Sequence, residues 1–217
     1  MVALASYPIN LNLANRLCIV LGGGKVAWRK VKVLLESGAK IRVVSPQLID
    51  EFMARVERNE IEYCQKVYEK ADLKGSFLVI CATDSKIVNM AAARMAHEMG
   101  ALVNVVDDSY PSDFTVPAQV RRGDLLLTVS TNGKSPEIAR QLRKELASVY
   151  DESYGEFITL VARYREELKR SVATSGQRER LWREMIDSEV LELVRNGEIS
   201  IVEARFKNAI SGFRVES

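Results

Sequence analysis

The chain has 217 residues, of which 47% are hydrophobic and 28% charged, and its 31 basic side chains nearly balance its 29 acidic ones. A formal charge of +2 argues against a nucleic-acid binder that works through bulk positive charge. No apolar run approaches the roughly 18–20 residues of a membrane helix, and the first residues lack the layout of a secretory signal, so we expect a cytoplasmic protein with no membrane partner.

Histidine and cysteine are too scarce for several common kinds of site. The chain has one histidine, His97, so a Ser-His-Asp triad or a zinc site would depend on that single imidazole. His97 lies in an Ala-rich helical stretch, and we interpret it as a helix surface or packing residue. Cys18, Cys64 and Cys81 lie among apolar residues without CxxC spacing, which is typical of reduced buried thiols. We expect no metal site and no chemistry that uses histidine.

The first hundred residues alternate between strand-like and helix-like hydrophobic patterns. Apolar runs predict buried strands at 17–21, 41–44, 60–64, 77–81 and 102–106. Apolar stripes at helical spacing predict helices at 26–37, from Pro46 to about Arg58, and at 86–99. Strands that alternate with helices through short links predict an α/β fold with a Rossmann-type parallel sheet and helices on both faces.

The pattern changes after Asp107. Residues 114–120 and 125–129 predict two strands joined as a hairpin, and an amphipathic helix follows from Pro136 to about Tyr150. From Asp151 onward the pattern is almost wholly helical. We therefore divide the chain into three parts: a Rossmann domain at 1–112, a small α+β segment at 113–150 and a helical C-terminal tail at 151–217.

The clearest site signal is the glycine-rich turn after the first strand. Residues 22–27 fit G-x-G-x-x-A between a buried strand and a helix. Gly22 permits the tight turn, Gly24 lets the backbone approach a pyrophosphate, and the N–H groups at the helix start then face the phosphates. We predict a dinucleotide site here, with a purely structural turn as the alternative. The predicted cofactor contacts in this turn are Gly22, Gly23, Gly24, Lys25 and Val26.

The end of the second strand lacks the Asp or Glu that usually holds the cofactor ribose. Ser45 stands there and can hydrogen-bond a ribose hydroxyl. Arg42 suggests a 2′-phosphate, although its alternation with buried positions favours a solvated strand end. These residues leave both NAD and NADP open.

Polar residues also follow the strands at 77–81 and 102–106, where ligands of parallel sheets collect. Thr83 and Asp84 can line the cofactor or cap the next helix. Asn104 and Asp107 close the later strand, either beside the nicotinamide or in an Asx turn. A carboxylate beside the nicotinamide can take or orient a proton as hydride leaves a substrate. Asp107 is thus a candidate proton acceptor and the other three are candidate cofactor contacts, with the cap and the Asx turn left open as the alternatives.

A polar loop precedes the helix at 136. Ser135 suits the N-cap and Pro136 the first helical turn, and the exposed N–H groups there suit an anion. Residues 121–144 carry six basic and two acidic side chains. Such a segment is typical of a solvated helix face or of a site for a polyanionic small molecule.

Together these motifs resemble the precorrin-2 dehydrogenase family, the NAD-dependent module of siroheme synthesis that also forms the N-terminal part of siroheme synthases. The resemblance covers roughly residues 7–146, about two-thirds of the chain. The stretches that carry it are 8–13, 20–27, 44–46, 82–84, 104–107, 114–117 and 130–136.

The resemblance implies oxidation of precorrin-2 to sirohydrochlorin with NAD, and it leaves the insertion of ferrous iron open. It also implies a homodimer in which the segment after the nucleotide domain interlocks with its partner. Asp107 matches the essential aspartate of the family, so the resemblance implies that Asp107 is the catalytic residue. Thr131 stands where many members carry a serine beside the tetrapyrrole. On this basis we predict substrate contacts at Phe114, Ser130, Thr131, Asn132, Gly133, Lys134 and Arg140.

Two alternatives remain open. One is a different enzyme on the same sheet, either another small dehydrogenase or a methyltransferase, although Ser45 disfavours the methyltransferase because an acidic residue usually holds its ribose there. The other is a non-enzymatic NAD-sensing module, which needs neither a carboxylate beside the nicotinamide nor a basic segment after it.

Overall fold

The computed structural model describes residues 6–106, 108 and 110–216. Contacts between residues divide the chain into two compact units, with the boundary between Val116 and Pro117. The predicted catalytic residue, Asp107, lies outside the described residues.

The first unit is built on a five-stranded parallel sheet with the strand order β3-β2-β1-β4-β5. The strands are β1 (Leu17–Leu21), β2 (Lys40–Val44), β3 (Glu62–Cys64), β4 (Leu78–Cys81) and β5 (Leu102–Val105). Beyond β1 the chain crosses to β2 on one side, and it later returns to β4 on the other side, so β1 and β4 are neighbours at the point where the strand order reverses. The predicted Rossmann-type parallel sheet is confirmed.

Helices cover both faces of this sheet. They are α1 (Lys25–Glu36), α2 (Met53–Glu57) and α3 (Lys86–Glu98), with 3-10 turns at Asp50–Phe52 and Lys70–Leu73. Because successive side chains of a strand point to opposite faces, Val20 packs in one core with Val31 of α1, whereas Ile19 packs in the other with Ala92 of α3. The β1 apolar run is therefore buried on both sides.

The helix predicted to begin at Pro46 begins later, with the 3-10 turn at Asp50. The intervening residues bond to the glycine-rich turn instead: Ile49 N donates to Gly23 O over 3.0 Å, and Ser45 Oγ donates to Gln47 O over 2.7 Å. These bonds hold residues 46–49 out of a helix and against the end of β1.

The second unit combines an antiparallel hairpin with five helices among its described residues. The hairpin pairs β6 (Ala118–Arg122) with β7 (Leu125–Val129). The helices are α4 (Pro136–Val149), α5 (Glu152–Ser171), α6 (Ser175–Met185), α7 (Ser188–Arg195) and α8 (Ile199–Glu216). Their core contains Phe157, Tyr164 and Phe206, and the last two rings meet edge-on with centroids 5.5 Å apart.

The strand predicted at 114–120 is shifted, since β6 covers 118–122. The Phe114 carbonyl bonds to a side chain of the first unit, as described below, and Pro117 has no N–H to donate to a ladder. Across the part of the chain that the structure describes, no helix combines the length and the apolar character that a membrane crossing requires.

Candidate functional site

A cleft of about 510 Å³ opens at the carboxyl ends of β1, β2 and β4. The glycine-rich turn, the segment after β2 and the loop after β4 form its walls. Six of the predicted cofactor residues line it: Gly22, Gly23, Gly24, Ser45, Thr83 and Asp84. The first unit therefore brings residues that are far apart in sequence to one edge of the sheet, as expected for a parallel α/β fold.

The three glycines of the turn meet different surroundings. Gly22 has φ +114°, and a Cβ there would overlap the Ala82 carbonyl. A Cβ on Gly23 would overlap the Gln47 carbonyl. Beside Gly24, in contrast, no described atom lies within 4 Å of where a Cβ would stand. Two of the glycines thus allow close packing within the protein, and the third leaves its space open to a ligand.

The start of α1 has no side-chain cap. Gly24 occupies the N-cap position and the first turn carries no acidic residue. The N–H groups of the first turn therefore point away from the helix without side-chain acceptors, and with the helix dipole they favour an anion. Lys25 and Val26 begin this helix but are not among the residues that line the cleft.

The loop after β4 is held by a residue that the sequence analysis did not select. Asn89 Oδ1 accepts from Thr83 N over 3.1 Å and from Thr83 Oγ1 over 2.7 Å, and its Nδ2 donates to Thr83 O over 3.0 Å. Ser85 caps α3, because its Oγ accepts from Val88 N. Asn89 shares the buried stripe of α3 with Ala92 and Ala96, so a polar residue on an apolar helix face was the available signal.

Charge is nearly absent from the cleft walls. Among the described residues that line it, Asp84 is the one charged side chain. Arg42 does not reach the cleft, since its Nε lies 2.9 Å from Glu62 Oε1 and its Nη1 donates to Asp72 O over 3.3 Å. Ser45 is buried, and its proton is committed to Gln47 O, so a ligand hydroxyl would meet it as an acceptor.

Asn104 lies in β5, outside the cleft lining, and is 6% exposed. Its Nδ2 donates to Phe114 O over 2.9 Å. Its Oδ1 is buried and has no hydrogen-bond partner among the described residues. A buried acceptor without a donor is costly, so this atom marks a position where a ligand or a water molecule would be stabilised.

The polar loop at 130–135 is ordered by its own hydroxyl groups. Thr131 Oγ1 donates to Ser135 O over 3.0 Å and accepts from Ser135 N over 3.1 Å. Ser130 Oγ accepts from Asn132 N, and Ser135 Oγ caps α4 by accepting from Ile138 N. Asn132 and Gly133, at the loop tip, both have positive φ.

The basic residues of the 121–144 segment differ in their surroundings. Arg122 donates to Tyr150 O over 3.0 Å and to Ala147 O over 3.2 Å, which satisfies carbonyls at the end of α4. Arg140 is exposed and pairs with Glu137 one turn earlier. Lys134 is exposed at the loop. The spacing of the basic residues in the sequence does not distinguish Arg122, which has a structural role, from the exposed Lys134 and Arg140.

Comparison with known proteins agrees with this architecture. Residues 9–118 match a family described as "Putative NAD(P)-binding", residues 122–148 one described as "Sirohaem biosynthesis protein central", and residues 153–210 one described as "Sirohaem synthase dimerisation region". The chain belongs to the precorrin-2 dehydrogenase and siroheme synthase family. The three matches follow one another in chain order and cover both compact units.

Individual relatives place the chain within this family. It is 35% identical to a siroheme synthase of Photobacterium profundum over 88% of its length, and 37% identical to one of Xylella fastidiosa over 97%. It spans 41% and 44% of those two proteins. A solved structure titled "SirC, precorrin-2 dehydrogenase" matches with a TM-score of 0.79 and 29% identity, over 95% of this chain and all of the other.

Proposed function

We propose that this protein is an NAD-dependent precorrin-2 dehydrogenase of siroheme biosynthesis, which oxidises precorrin-2 to sirohydrochlorin. The observation that carries the proposal is the cleft at the glycine-rich turn, within a fold that matches a precorrin-2 dehydrogenase over that protein's whole length. The relatives named siroheme synthase support the same pathway.

The cleft residues fit NAD. The open space beside Gly24 and the uncapped start of α1 suit a pyrophosphate. The 2′-phosphate of NADP would need a cation, whereas Asp84 is the charged residue of the described lining and Arg42 is paired with Glu62. We therefore propose NAD rather than NADP as the cofactor.

NAD supplies the hydride acceptor of the reaction. Thr83, fixed by Asn89, borders the cofactor, and Ser45 accepts from a ribose hydroxyl. Asp107 takes or orients the proton that leaves the macrocycle. Support for Asp107 comes from its position in the sequence, two residues after the end of β5, and from the N-V-V-D motif of the family at 104–107.

The substrate carries acetate and propionate groups, so it needs cations. We propose that Lys134 and Arg140 contact these carboxylates and that Ser130, Thr131, Asn132, Gly133 and Phe114 contribute further contacts. Both cations are exposed. The ordered loop before α4 keeps the Lys134 backbone in place, since Lys134 N donates to Thr131 O over 3.0 Å.

We also propose a homodimer. The match to a dimerisation region at 153–210 supports it, as does an apolar stripe on α4, where Ile138, Leu142 and Val149 are 53%, 41% and 53% exposed. Three cysteines without disulfides support a cytoplasmic location, because thiols persist in reducing compartments.

Incubation of the protein with precorrin-2 and NAD tests the activity, with NADH absorbance as the readout. We expect NADH only when both compounds are present, and little NADPH when NADP replaces NAD. Binding of NAD without NADH formation would favour the sensor alternative. NADH formation with a different substrate but not with precorrin-2 would favour another dehydrogenase.

The same assay can be carried on with ferrous ion to decide whether iron is inserted into sirohydrochlorin. Here iron is a substrate and not a resident cofactor. Among the residues that the structure describes, no group of three or more His, Cys, Asp or Glu side chains is arranged to hold a metal. Siroheme formation faster than in a protein-free control would add a chelatase step to the proposal.

A further inference from the structure

Residues 112–114 lie along the outer edge of β5 and bond to it with side chains. Asp113 Oδ2 accepts from Val103 N over 2.8 Å, and Asp113 N donates to Val103 O over 2.9 Å. Ser112 Oγ accepts from Val105 N, also over 2.8 Å. An edge strand presents unpaired N–H groups, and here a carboxylate and a hydroxyl take two of them. The segment is therefore fastened to the strand at two points.

The carboxylate of Asp113 has a second partner. His97, in the last turn of α3, places its Nε2 2.9 Å from Asp113 Oδ2. Asp113 thus joins the edge of the sheet to the helix that packs on it. This contact gives the only histidine of the sequence a partner that the sequence analysis did not foresee.

Phe114, the residue after Asp113, fixes the orientation of the Asn104 side-chain amide. Phe114 O accepts from Asn104 Nδ2 over 2.9 Å. A carbonyl oxygen can only accept, so the amide nitrogen must face Phe114 and the Oδ1 must face away from it. That Oδ1 is the buried acceptor without a partner among the described residues. If the Phe114 carbonyl moved, the amide would be free to turn over.

Asn104 is near the cleft. It pairs with Ile80 of β4, two residues before Ala82 in the cleft wall. With strands about 4.8 Å apart and a rise of about 3.3 Å per residue, the Cα atoms of Asn104 and Ala82 are separated by about 8 Å. A cofactor that extends along the carboxyl edge from β1 towards β5 would bring its nicotinamide end to this region.

We propose that Asp113, supported by Ser112 and His97, is a positioning residue for the cofactor. It holds the Phe114 carbonyl against Asn104, so that Asn104 Oδ1 is presented as an acceptor for the carboxamide N–H of NAD. This inference rests on the proposed use of NAD, but not on the identity of the oxidised substrate.

Binding of three ligands tests the proposal. NAD carries the carboxamide donor, the 3-acetylpyridine analogue of NAD lacks it, and ADP-ribose lacks the whole ring. We expect the wild type to bind NAD about tenfold more tightly than the acetylpyridine analogue, because the analogue leaves Oδ1 unpaired. In Asn104→Ala and Asp113→Ala this preference should fall to about onefold. ADP-ribose should bind all variants equally, which shows that the cleft is intact.

Two conservative controls separate positioning from general damage. Asp113→Asn keeps an acceptor for Val103 N, so most of the tenfold preference should return. Glu98→Gln removes an exposed carboxylate that pairs with Lys70 beside His97, and it should keep the full preference. A tenfold preference that persists in Asp113→Ala would overturn the inference, as would a wild type with no preference.

A readout on the protein without ligand makes the inference independent of the proposed activity. In the wild type, the amide proton that Asn104 Nδ2 donates to Phe114 O should exchange slowly with solvent. In Asp113→Ala that exchange should accelerate at least tenfold, whereas Glu98→Gln should leave it unchanged. Equal exchange in all three proteins would contradict the positioning role, whether or not precorrin-2 is oxidised.

Discussion

Asp107 is the residue on which the proposed chemistry depends most. We expect Asp107→Asn to bind NAD with unchanged affinity and to lose about 10²- to 10⁴-fold in turnover, since a general base contributes roughly that factor. Titration with NAD and the NADH assay measure the two quantities separately. Turnover close to wild type in this variant would remove Asp107 from the proton transfer.

Gly22 and Gly24 should respond differently to the same substitution. Gly22→Ala should lower the free energy of unfolding by about 1–3 kcal/mol, because its φ is positive and a Cβ would overlap the Ala82 carbonyl. Gly24→Ala should unfold at nearly the wild-type temperature and bind NAD more weakly, because its Cβ would fill the space open to the pyrophosphate. Thermal melts and NAD titrations of both variants check this contrast, and equal melts for the two would contradict it.

The buried thiols should make stability depend on alkaline pH. Burial raises the pKa of Cys18 to about 11 and that of Cys81 to about 12, from an ordinary value of 9.0. Below pH 9 both thiols are neutral in the folded and in the unfolded chain, so their full contribution to stability is present. As the pH rises from 9 towards 12 they ionise first in the unfolded chain, so the free energy of unfolding falls.

The same burial should protect these thiols from chemical modification. At pH 8 we expect iodoacetamide to modify only the half-buried Cys64 of the folded protein. Mass spectrometry of the labelled chain checks this, and rapid labelling of Cys18 would contradict it.

Among the secondary-structure elements, the contact between α5 and the β6–β7 hairpin depends on a glycine. A Cβ on Gly155 would lie 3.0 Å from the Arg122 carbonyl carbon and 3.1 Å from its oxygen. Ala is favoured over Gly in a helix by about 1 kcal/mol, but we expect Gly155→Ala to lower the free energy of unfolding by about 1–2 kcal/mol because the backbone must shift. Gly176→Ala in α6 is the matched control, since no described atom lies within 4 Å of its Cβ position. Chemical denaturation measures the free energy of unfolding of both variants. A Gly155→Ala protein more stable than the wild type would show that the hairpin backbone moves away from the added methyl group without cost.

Elements set by local patterns were predictable, whereas those set by distant bonds were not. The buried run at β1 and the N-cap and proline of α4 specify their elements within a few residues, and the structure has both where the sequence indicates them. The delayed helix after Pro46 depends on a bond to Gly23, which is distant in sequence. A single sequence does not show which distant group a polar atom will meet.

The same limit applies to the candidate site. The glycine-rich turn and the loop after β4 were found because their residues follow strands whose carboxyl ends meet at one edge. Asn89 and Asp113 were missed because each acts through a hydrogen bond to another segment. Arg122 was grouped with the exposed cations because its partners, the carbonyls that end α4, are visible only in the fold.

For the whole molecule, the near-neutral charge hides an uneven distribution. The net charge is +2, yet residues 121–144 alone carry four more basic than acidic side chains. The cleft walls, in contrast, carry one charge among their described residues. In the proposed function, the uncapped start of α1 serves the pyrophosphate of NAD without a side-chain cation, and the exposed cations of the second unit serve the carboxylates of the substrate.

The apolar stripe of α4 predicts how the protein assembles. Ile138, Leu142 and Val149 lie on one side of α4, since their spacings of four and seven residues correspond to about one and two helical turns, and all three are about half exposed. An exposed apolar stripe of this kind is typical of an interface, so we expect two copies to associate.

Light scattering coupled to size-exclusion chromatography should give a dimer mass for the wild type. Leu142→Glu places a charge within the stripe and should give a monomer, whereas Ser148→Glu adds the same charge at an exposed position outside it and should remain a dimer. Because the described lining of the cleft lies wholly in the first unit, the monomeric variant should still bind NAD. A Leu142→Glu protein that remains dimeric would show that the interface does not depend on this stripe.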